Sequence, residues 1–330
     1  MKNILLLTTG GTIACIKTSD GLTPNLSAEE LLAEVPEIKK ICNPHFLEVM
    51  CIDSTNMIPS DWLKIAKAIE DNYDQYDGFV ICHGTDTMPY TASALSYLIQ
   101  DSPKPIVITG SQKPINFETT DAKQNLLDSF LYAASDNAAN VSVVFGGLVI
   151  AATRARKIRS KSYNAFESVN FPELAKIFNG KIHQYIFPNK SKQVKFYHEL
   201  SDRVNIVNLF PGISEDIIRI YFEKSEVVII SSYGTGGIPS RGGYDLANII
   251  NEYVQQGKIV VISTQVQQEG SDMSIYKVCR GIDQEVRFLE TYEMNNVAVL
   301  VKLMWILTQS KDFTEIKKLF YKTINYDGLI

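Results

Sequence analysis

Two polar segments place hydroxyl groups beside residues that could activate them. The segment T-G-G-T at residues 9–12 follows a short apolar run, and H-G-T-D-T at 83–87 follows another. A threonine hydroxyl is a weak nucleophile at neutral pH and needs a nearby base. The loop at 83–87 could supply an acid/base relay and could hold a substrate ammonium with Asp86. These residue types favour a reacting hydroxyl in the loop at 9–12 and an acid/base relay in the loop at 83–87.

A third segment, I-D-S-T-N at 52–56, offers hydrogen-bond donors rather than a base. The hydroxyls of Ser54 and Thr55, together with backbone amides near a helix start, could hold a carboxylate. Asp53 precedes them, and an Asx or hydroxyl turn is the alternative interpretation of this segment. Each segment taken alone therefore fits both a functional and a purely structural interpretation.

The other two segments also have structural alternatives. The glycines at 9–12 could form an ordinary strand-to-loop turn. Asp86 could be the N-cap of the apolar helical stretch that follows it.

A basic run, R-A-R-K-I-R at 154–159, adds positive charge to this set. Such a run usually forms a solvated face. A lysine close to a hydroxyl can instead lower its pKa or act as a base after desolvation. We keep both interpretations for this run: it is a solvated face, or one of its charges turns inward.

Several other kinds of site lack support in the sequence. The histidines are scattered and show no paired metal-ligand spacing, so no metal site is predicted. There is no Walker A sequence and no G-x-S-x-G elbow. The G-T-G-G segment at 234–237 is interpreted as a turn because it lacks the third glycine of a dinucleotide fingerprint.

Composition limits the partners and the compartment. With 32 basic and 37 acidic residues the net charge is −5, and no basic block could neutralise a nucleic-acid backbone. No stretch approaches the length needed to span a bilayer, so no membrane association is predicted. Five cysteines without a C-x-x-C pair fit reduced thiols and a cytoplasmic protein.

Alternating apolar runs and helical periods predict an α/β fold. The predicted strands are 4–7, 47–52, 79–82, 106–109, 204–210, 227–231 and 259–263. A hairpin at the sheet edge is expected over 141–151, turning at Gly146-Gly147. Helices are expected from about Ser60, Asp121, Ser214, Asp245 and Thr314, and Ser27 with Glu30 is expected to form a capping box.

The pattern fails in a polar, proline-interrupted stretch after Ile186. We therefore expect an N-terminal α/β domain over 1–186, a linker over 187–203 and a second, smaller α/β domain over 204–330.

Taken together, the motifs resemble those of type I, or cytoplasmic, L-asparaginases. T-G-G-T-I-A at 9–14, H-G-T-D-T-M at 83–88, T-G-S-Q at 109–112 and K-I-R-S ahead of F-E-S at 157–168 carry the resemblance. It extends from Ile4 to about Lys322 and includes the segment K-L-M-W at 302–305. The two long motifs at 9–14 and 83–88, at the separation found in this family, identify it far more specifically than a pair of glycines in one loop would.

The resemblance implies a flavodoxin-like N-terminal sheet, an α/β C-terminal domain and active sites completed in a homodimer or homotetramer. It implies hydrolysis of L-asparagine to L-aspartate and ammonia without a cofactor. Thr12 would be the nucleophile, and Thr85, Asp86 and Lys157 would form a second relay. Substrate would be bound by residues of three loops, namely Asp53, Ser54, Thr55, Thr85, Asp86 and Ser111.

The sequence also departs from the family pattern. Leu22 stands where many members have a tyrosine that closes over the nucleophile, and the stretch 283–297 differs from its counterparts. The alternatives are a broader glutaminase activity, the asparaginase-like subunit of a glutamyl-tRNA amidotransferase, and a catalytically silent amino-acid-binding protein. The amidotransferase subunit is disfavoured because its extra N-terminal domain has no counterpart ahead of Thr12.

Overall fold

The structure of the protein is a computed structural model that describes residues 1–18, 21–24, 26–188, 190–191, 193–239, 245–275 and 287–329. The chain divides into two compact units. The first comprises Met1–His198 and Ile324–Tyr326, and the second comprises Glu199–Thr323 and Asp327–Ile330. Within the described residues, no helix is both long and apolar enough to cross a membrane.

The first unit is built on a large sheet with helices around it. Its strands are β1 (Asn3–Gly10), β2 (Cys15–Thr18), β3 (Gly21–Pro24), β4 (Asn43–Ile52), β5 (Gly78–Cys82), β6 (Ile99–Gln100), β7 (Pro105–Thr109), β8 (Asn140–Phe145), β9 (Leu148–Ala151), β10 (Ala155–Lys157), β11 (Phe166–Ser168), β12 (Ala175–Phe178), β13 (Lys181–Gln184) and β14 (Lys195–Phe196). Its helices are α1 (Ala28–Ala33), α2 (Ile38–Ile41), α3 (Pro59–Asp71), α4 (Met88–Leu98) and α5 (Ala122–Ala133).

The strand order of the main sheet is β13-β12-β9-β8-β7-β5-β1-β4. Its five parallel strands, β4, β1, β5, β7 and β8, follow the order 2-1-3-4-5 when numbered along the chain. This is the flavodoxin-like order, so the expected fold class is confirmed. The chain reverses its direction of winding between β1 and β5, and ligands of open α/β sheets bind at the carboxyl ends of the strands at such a point.

Burial explains why the short apolar runs form the centre of this sheet. Every residue of β5 and of β7 is buried, as expected for parallel strands covered on both faces. The capping box of Ser27 and Glu30 is confirmed at the start of α1. The helix expected from about Ser60 is α3, which begins one residue earlier, at a proline whose fixed φ suits the first helical position, so Ser60 lies inside the helix and does not cap it.

The Gly146-Gly147 hairpin is confirmed between β8 and β9, and both glycines have positive φ angles, of 58° and 75°. Its expected position at the sheet edge was wrong. A second hairpin, β12 and β13, pairs with β9 and forms the edge instead. These strands were not predicted because each has only four residues, and so short a run carries little signal.

The second unit contains a four-stranded parallel sheet in the order β15-β16-β17-β18. Its elements are β15 (Val204–Asn208), β16 (Val227–Ser232), β17 (Ile259–Thr264), β18 (Phe288–Glu290), α6 (Glu215–Lys224), α7 (Leu246–Gln255), α8 (Asn296–Gln309) and α9 (Phe313–Tyr321). Helices α6 and α7 begin beside Ser214 and Asp245, as the sequence predicted, and the side chains of these two residues cap them. The segment 234–237 forms the predicted turn, closed by an isolated bridge between Tyr233 and Gly237.

A buried ion pair lies in the second unit. The Lys302 ammonium on α8 contacts the Asp327 carboxylate at 2.7 Å, and neither side chain is more than 1% exposed. Lys302 also donates to the Lys322 carbonyl at 2.8 Å. Because both charges have polar partners, this pair can be accommodated away from water.

Candidate active site

Sheet topology brings the three hydroxyl-bearing loops to one edge of the first unit. β1 lies between β4 and β5, so the segments that follow these strands emerge side by side. The Gly11 amide donates to the Ile52 carbonyl at 3.1 Å. A Cβ built on Gly11 would lie 2.5 Å from the Gly84 Cα, so the backbones of the two loops are in direct contact. Glycine at both positions permits this approach.

Thr12 begins a short 3-10 turn over Thr12–Ala14 and is half-buried. The turn is attached to the loop that follows β7, because the Ile115 amide donates to the Ile13 carbonyl at 3.2 Å. Cys15 is the other nucleophile in this segment. Its thiol donates to the Gly11 carbonyl at 3.4 Å, and burial raises its pKa to about 11, so it remains protonated near neutrality.

Thr85, Asp86 and Lys157 form a compact cluster. The Lys157 ammonium donates to the Thr85 hydroxyl at 2.7 Å and to the Asp86 carboxylate at 2.6 Å. Thr85 is 5% exposed, whereas the Asp86 side chain is 59% exposed. A lysine shared between a buried hydroxyl and an open carboxylate can move protons at the hydroxyl and leave carboxylate oxygen for a ligand.

The contacts of this cluster decide between the alternatives that the sequence left open for Asp86 and for the basic run at 154–159. Asp86 is not a helix cap: α4 has Thr87 at the N-cap position, with no side-chain capping bond, and the Asp86 carboxylate is bound to Lys157. The basic run is not simply a solvated face. Lys157 turns inward, and Arg154 is fully buried, donating to the Tyr326 carbonyl at 2.6 Å.

The Ser54 loop adjoins the Thr85 loop from the β4 side. Ser54 is 2% exposed, and its hydroxyl oxygen would lie 2.5 Å from a Cβ built on Gly84. The Thr87 hydroxyl donates to the Ser54 carbonyl at 2.7 Å. Asp53 and Thr55 are exposed and form the Asx turn, in which one Asp53 oxygen accepts from both the Thr55 amide and its hydroxyl at 2.9 Å.

The loop after β7 carries Ser111 and Gln112. Ser111 is buried, and its hydroxyl donates to the Lys113 carbonyl of its own loop. Gln112 reaches the cluster: its side-chain oxygen lies 3.4 Å from the Thr85 hydroxyl. Gln112 belongs to the T-G-S-Q motif at 109–112, but its role could not be predicted from the sequence because its partners come from segments distant in the chain.

His83 is a buried residue beneath the cluster whose role sequence analysis also missed. It has no exposed surface, and its two ring nitrogens lie 2.6 Å from the Gly84 carbonyl and 2.8 Å from the Thr91 hydroxyl. Burial lowers its pKa to about 4, so the imidazole is neutral and holds the 83–85 backbone in place.

Two of the residues singled out from sequence lie outside the described part. These are the Leu22 side chain and Cys279, and the first four residues of the divergent stretch 283–297 are outside it as well. Among the described residues, no group of three or more histidine, cysteine or acidic side chains could hold a metal ion.

Two family models match the chain. The model described as "Asparaginase, N-terminal" covers residues 3–189, and "Glutaminase/Asparaginase C-terminal domain" covers residues 203–320. Together they span most of the sequence.

Named relatives match the chain over nearly its full length. It is 35% identical to L-asparaginase of Thermococcus kodakarensis, over 97% of each protein. It is 32% identical to L-asparaginase 1 of Escherichia coli, over 96% of this chain and 95% of the relative. A glutamyl-tRNA(Gln) amidotransferase subunit of Methanobrevibacter smithii is 32% identical over 98% of this chain but 76% of its own length.

Solved structures of L-asparaginases are also similar to this chain over nearly its full length. The thermostable L-asparaginase from T. kodakarensis superimposes with a TM-score of 0.90 at 34% identity, covering 98% of each chain. L-asparaginase I from Vibrio cholerae gives 0.87 at 29% identity, covering 100% of this chain and 99% of its own. A probable cytoplasmic L-asparaginase from Campylobacter jejuni gives 0.83 at 26% identity, covering 98% and 100%. The chain therefore belongs to the asparaginase family, whose members are amidohydrolases.

Proposed function

We propose that this protein hydrolyses L-asparagine to L-aspartate and ammonia through a covalent intermediate on Thr12. The observation that carries the proposal is the Lys157 ammonium, bound to both Thr85 and Asp86 beside the loop of a second threonine. Hydrolysis of an ester on that threonine requires a group that takes a proton from water, and this cluster is such a group.

In the first half-reaction, the Thr12 oxygen attacks the carbon of the substrate side-chain amide. The carbonyl oxygen becomes an oxyanion, which backbone N–H groups stabilise. The C–N bond then breaks, and the nitrogen leaves as ammonia with the proton that Thr12 has lost. The product is an aspartyl ester on the Thr12 oxygen.

In the second half-reaction, a water molecule attacks the ester carbon. The Thr85 oxygen takes a proton from that water and passes its own hydroxyl proton to the Lys157 nitrogen, which must be in its neutral amine form for this step, across the 2.7 Å contact between them. The ester bond breaks, aspartate is released and the Thr12 oxygen recovers its proton. No external oxidant, reductant or phosphate takes part in either step.

The charges around the cluster support binding of an α-amino acid. Asp86 is open to solvent and would bind the α-ammonium, while Ser54, with Asp53 and Thr55, would bind the α-carboxylate. Ser111 would line the path of the side chain. Because the α-ammonium and the α-carboxylate of the substrate would both be held, the length of its side chain decides where the amide carbonyl lies relative to Thr12. Glutamine is one methylene longer, so its carbonyl would be misplaced. Small misplacements can cost about a hundredfold in rate.

The similarity to L-asparaginases also supports a proposal for the oligomeric state and the cellular compartment. We infer a homodimer or homotetramer in the cytoplasm. No disulfide joins the four described cysteines, which suits a reducing compartment. No cofactor is assigned.

The amidotransferase subunit is the second candidate, since one such subunit is 32% identical to the chain. The asparaginase is favoured because its likeness spans 97% of both proteins, against 76% of that subunit.

The test is ammonia release from L-asparagine by the purified protein, by Thr12→Ala and by Thr85→Ala. Thr119→Ala is the matched control, since Thr119 is an exposed threonine of the same unit. Activity in wild type and in the control, with loss in both site variants, is the expected result. An inert wild type whose melting temperature still rises with asparagine would support a silent binding protein instead.

A further inference from the structure

A direct hydrogen bond joins the two loops that would bind the two ends of the amino acid. The Thr87 hydroxyl donates to the Ser54 carbonyl at 2.7 Å, across 33 positions of the chain. Thr87 follows Asp86, the proposed partner of the α-ammonium, and Ser54 is the proposed partner of the α-carboxylate. The bond therefore links the neighbour of one binding residue to the other binding residue.

The strands that precede these loops do not pair with each other. The Ser54 loop follows β4 and the Thr87 loop follows β5, and β1 lies between the two strands. The distance between the loops is therefore set by contacts made beyond the ends of the strands. One is the close approach of Gly84 to the Ser54 side chain, and the other is the hydrogen bond from Thr87.

The Ser54 loop forms a short turn with its own hydrogen bonds. Asp53 accepts from the Thr55 amide and hydroxyl, both at 2.9 Å, and the Met57 amide donates to the Ser54 carbonyl at 3.1 Å. A carbonyl oxygen has two lone pairs, so the Met57 amide and the Thr87 hydroxyl occupy both. The turn is thus closed internally, and the Thr87 side chain attaches it to the neighbouring loop.

The Thr87 hydroxyl is not used by its own helix. Thr87 is the N-cap of α4, where a threonine side chain normally accepts from a helical amide, yet it makes no capping bond. Pro89, in the first turn, has no amide proton to donate. The Ser54 carbonyl can only accept, so the hydroxyl must be the donor. This side chain therefore serves the contact between the loops rather than the helix.

We propose that Thr87 is a positioning residue that fixes the spacing between the Asp86 carboxylate and the Ser54 turn, and so makes the site selective for ligands that carry both an α-ammonium and an α-carboxylate. The inference rests on the proposed function. Both groups are attached to one carbon, so their protein partners must be held at one separation before a ligand can use both. A ligand with one of these groups does not depend on that separation.

The experiment compares two ligands by isothermal titration calorimetry. L-aspartate carries both groups, whereas succinate lacks the α-ammonium. Thr87→Val removes the hydroxyl and keeps the shape of the side chain, and Thr87→Ser keeps the hydroxyl. Thr308→Val is the matched control, since the half-buried Thr308 hydroxyl, in the second unit, also donates to a carbonyl at 2.7 Å.

We expect Thr87→Val to raise the dissociation constant of L-aspartate about fivefold, the effect of losing one neutral hydrogen bond. The dissociation constant of succinate should stay within about twofold of wild type, because its binding does not need the spacing. Thr87→Ser and Thr308→Val should resemble wild type with both ligands. Melting temperatures identify any loss of folding, and Thr87→Ala replaces the valine variant if that protein does not fold.

Four outcomes would overturn the inference while the proposed function stands. The first two are unchanged L-aspartate binding in Thr87→Val and an equal loss for both ligands. The third is a loss in Thr87→Ser as large as in Thr87→Val. The fourth is a wild type that does not bind succinate, because the Ser54 turn would then not hold a carboxylate by itself. A wild type that releases no ammonia from L-asparagine would overturn the proposed function and this inference with it.

Discussion

Gly11 and Gly84 are in direct backbone contact, with the Cα of Gly84 2.5 Å from where a Cβ on Gly11 would stand. Gly11 precedes Thr12, and Gly84 precedes Thr85. The two threonines therefore follow residues that touch, although the chain separates them by more than 70 positions. This contact exists because β1 and β5 are neighbours at the point where the sheet reverses its winding.

The contact makes Gly11→Ala a test of how the loops are joined. Gly11 has a φ of 80°, so alanine would be strained and would also collide with the Gly84 backbone. We expect ammonia release to fall by about a hundredfold or more. Gly180→Ala is the control, because Gly180 has a similar φ of 67° and nothing within 4 Å. Comparable losses in the two variants would show that strain alone, rather than the contact, accounts for the effect.

Lys157→Met should fold normally and lose most activity. The substitution removes the charge that joins Thr85 to Asp86 without emptying a core, and proton relays of this kind contribute about 10²–10⁴ in rate. The check is kcat/KM for asparagine, with circular dichroism for the fold. Lys195→Met serves as control, since Lys195 forms a half-exposed pair with Asp101 at 2.8 Å. Unchanged kcat/KM in Lys157→Met would contradict the role assigned to Lys157.

The sequence predicted the main elements of the fold because their signals are local. The apolar runs that became β1, β5, β7, β16 and β17 are short and bounded by turns, and most are rich in β-branched residues. The β12–β13 edge hairpin was missed, since strands of four residues with mixed polarity carry little signal.

For the candidate site, residue types and motifs identified the loops that carry it, but they did not predict every contact between side chains of different loops. The contact of Lys157 with Thr85 spans 72 positions, and that of Gln112 with Ser162 spans 50. Such pairings depend on how the sheet is ordered. The capping role considered for Asp86 was wrong for the same reason: a distant lysine binds its carboxylate, and the helix begins beyond it.

His83 should make the protein less stable at acidic pH. Burial lowers its pKa from the ordinary 6.5 to about 4. Between these values the unfolded chain binds a proton that the folded chain does not, so stability falls as pH drops from about 6.5 to 4, by about 3 kcal/mol at most. Urea unfolding of wild type and His83→Gln over this range tests it. The wild-type loss should exceed that of His83→Gln, and the exposed control His198→Gln should keep the wild-type slope. Parallel slopes for wild type and His83→Gln would contradict the prediction.

Asp128 should make the protein less stable as the pH rises, which is the opposite of the effect of His83. It is 2% exposed, and burial raises its pKa from 3.8 to about 6 despite a hydrogen bond from Gln124. The folded chain binds this proton more tightly, so the contribution to stability is present below about pH 3.8 and is lost as pH rises through 6. Asp128→Asn should therefore raise the free energy of unfolding by about 1–3 kcal/mol at pH 8 and by less at pH 4. The exposed Asp136→Asn should show no such gain. A destabilised Asp128→Asn at pH 8 would show that its carboxylate has a favourable partner.

The central claim, that Thr12 forms the acyl-enzyme while Thr85 serves its hydrolysis, can be tested by trapping the intermediate. Thr85→Ala mixed with L-asparagine, quenched in acid, digested and examined by mass spectrometry should carry one aspartyl group on the peptide that contains Thr12. The same peptide from Thr12→Ala should be unmodified. An aspartyl group on any other residue of the active wild-type protein, or none on Thr12 in a Thr85→Ala protein that still releases a first equivalent of ammonia, would contradict the account.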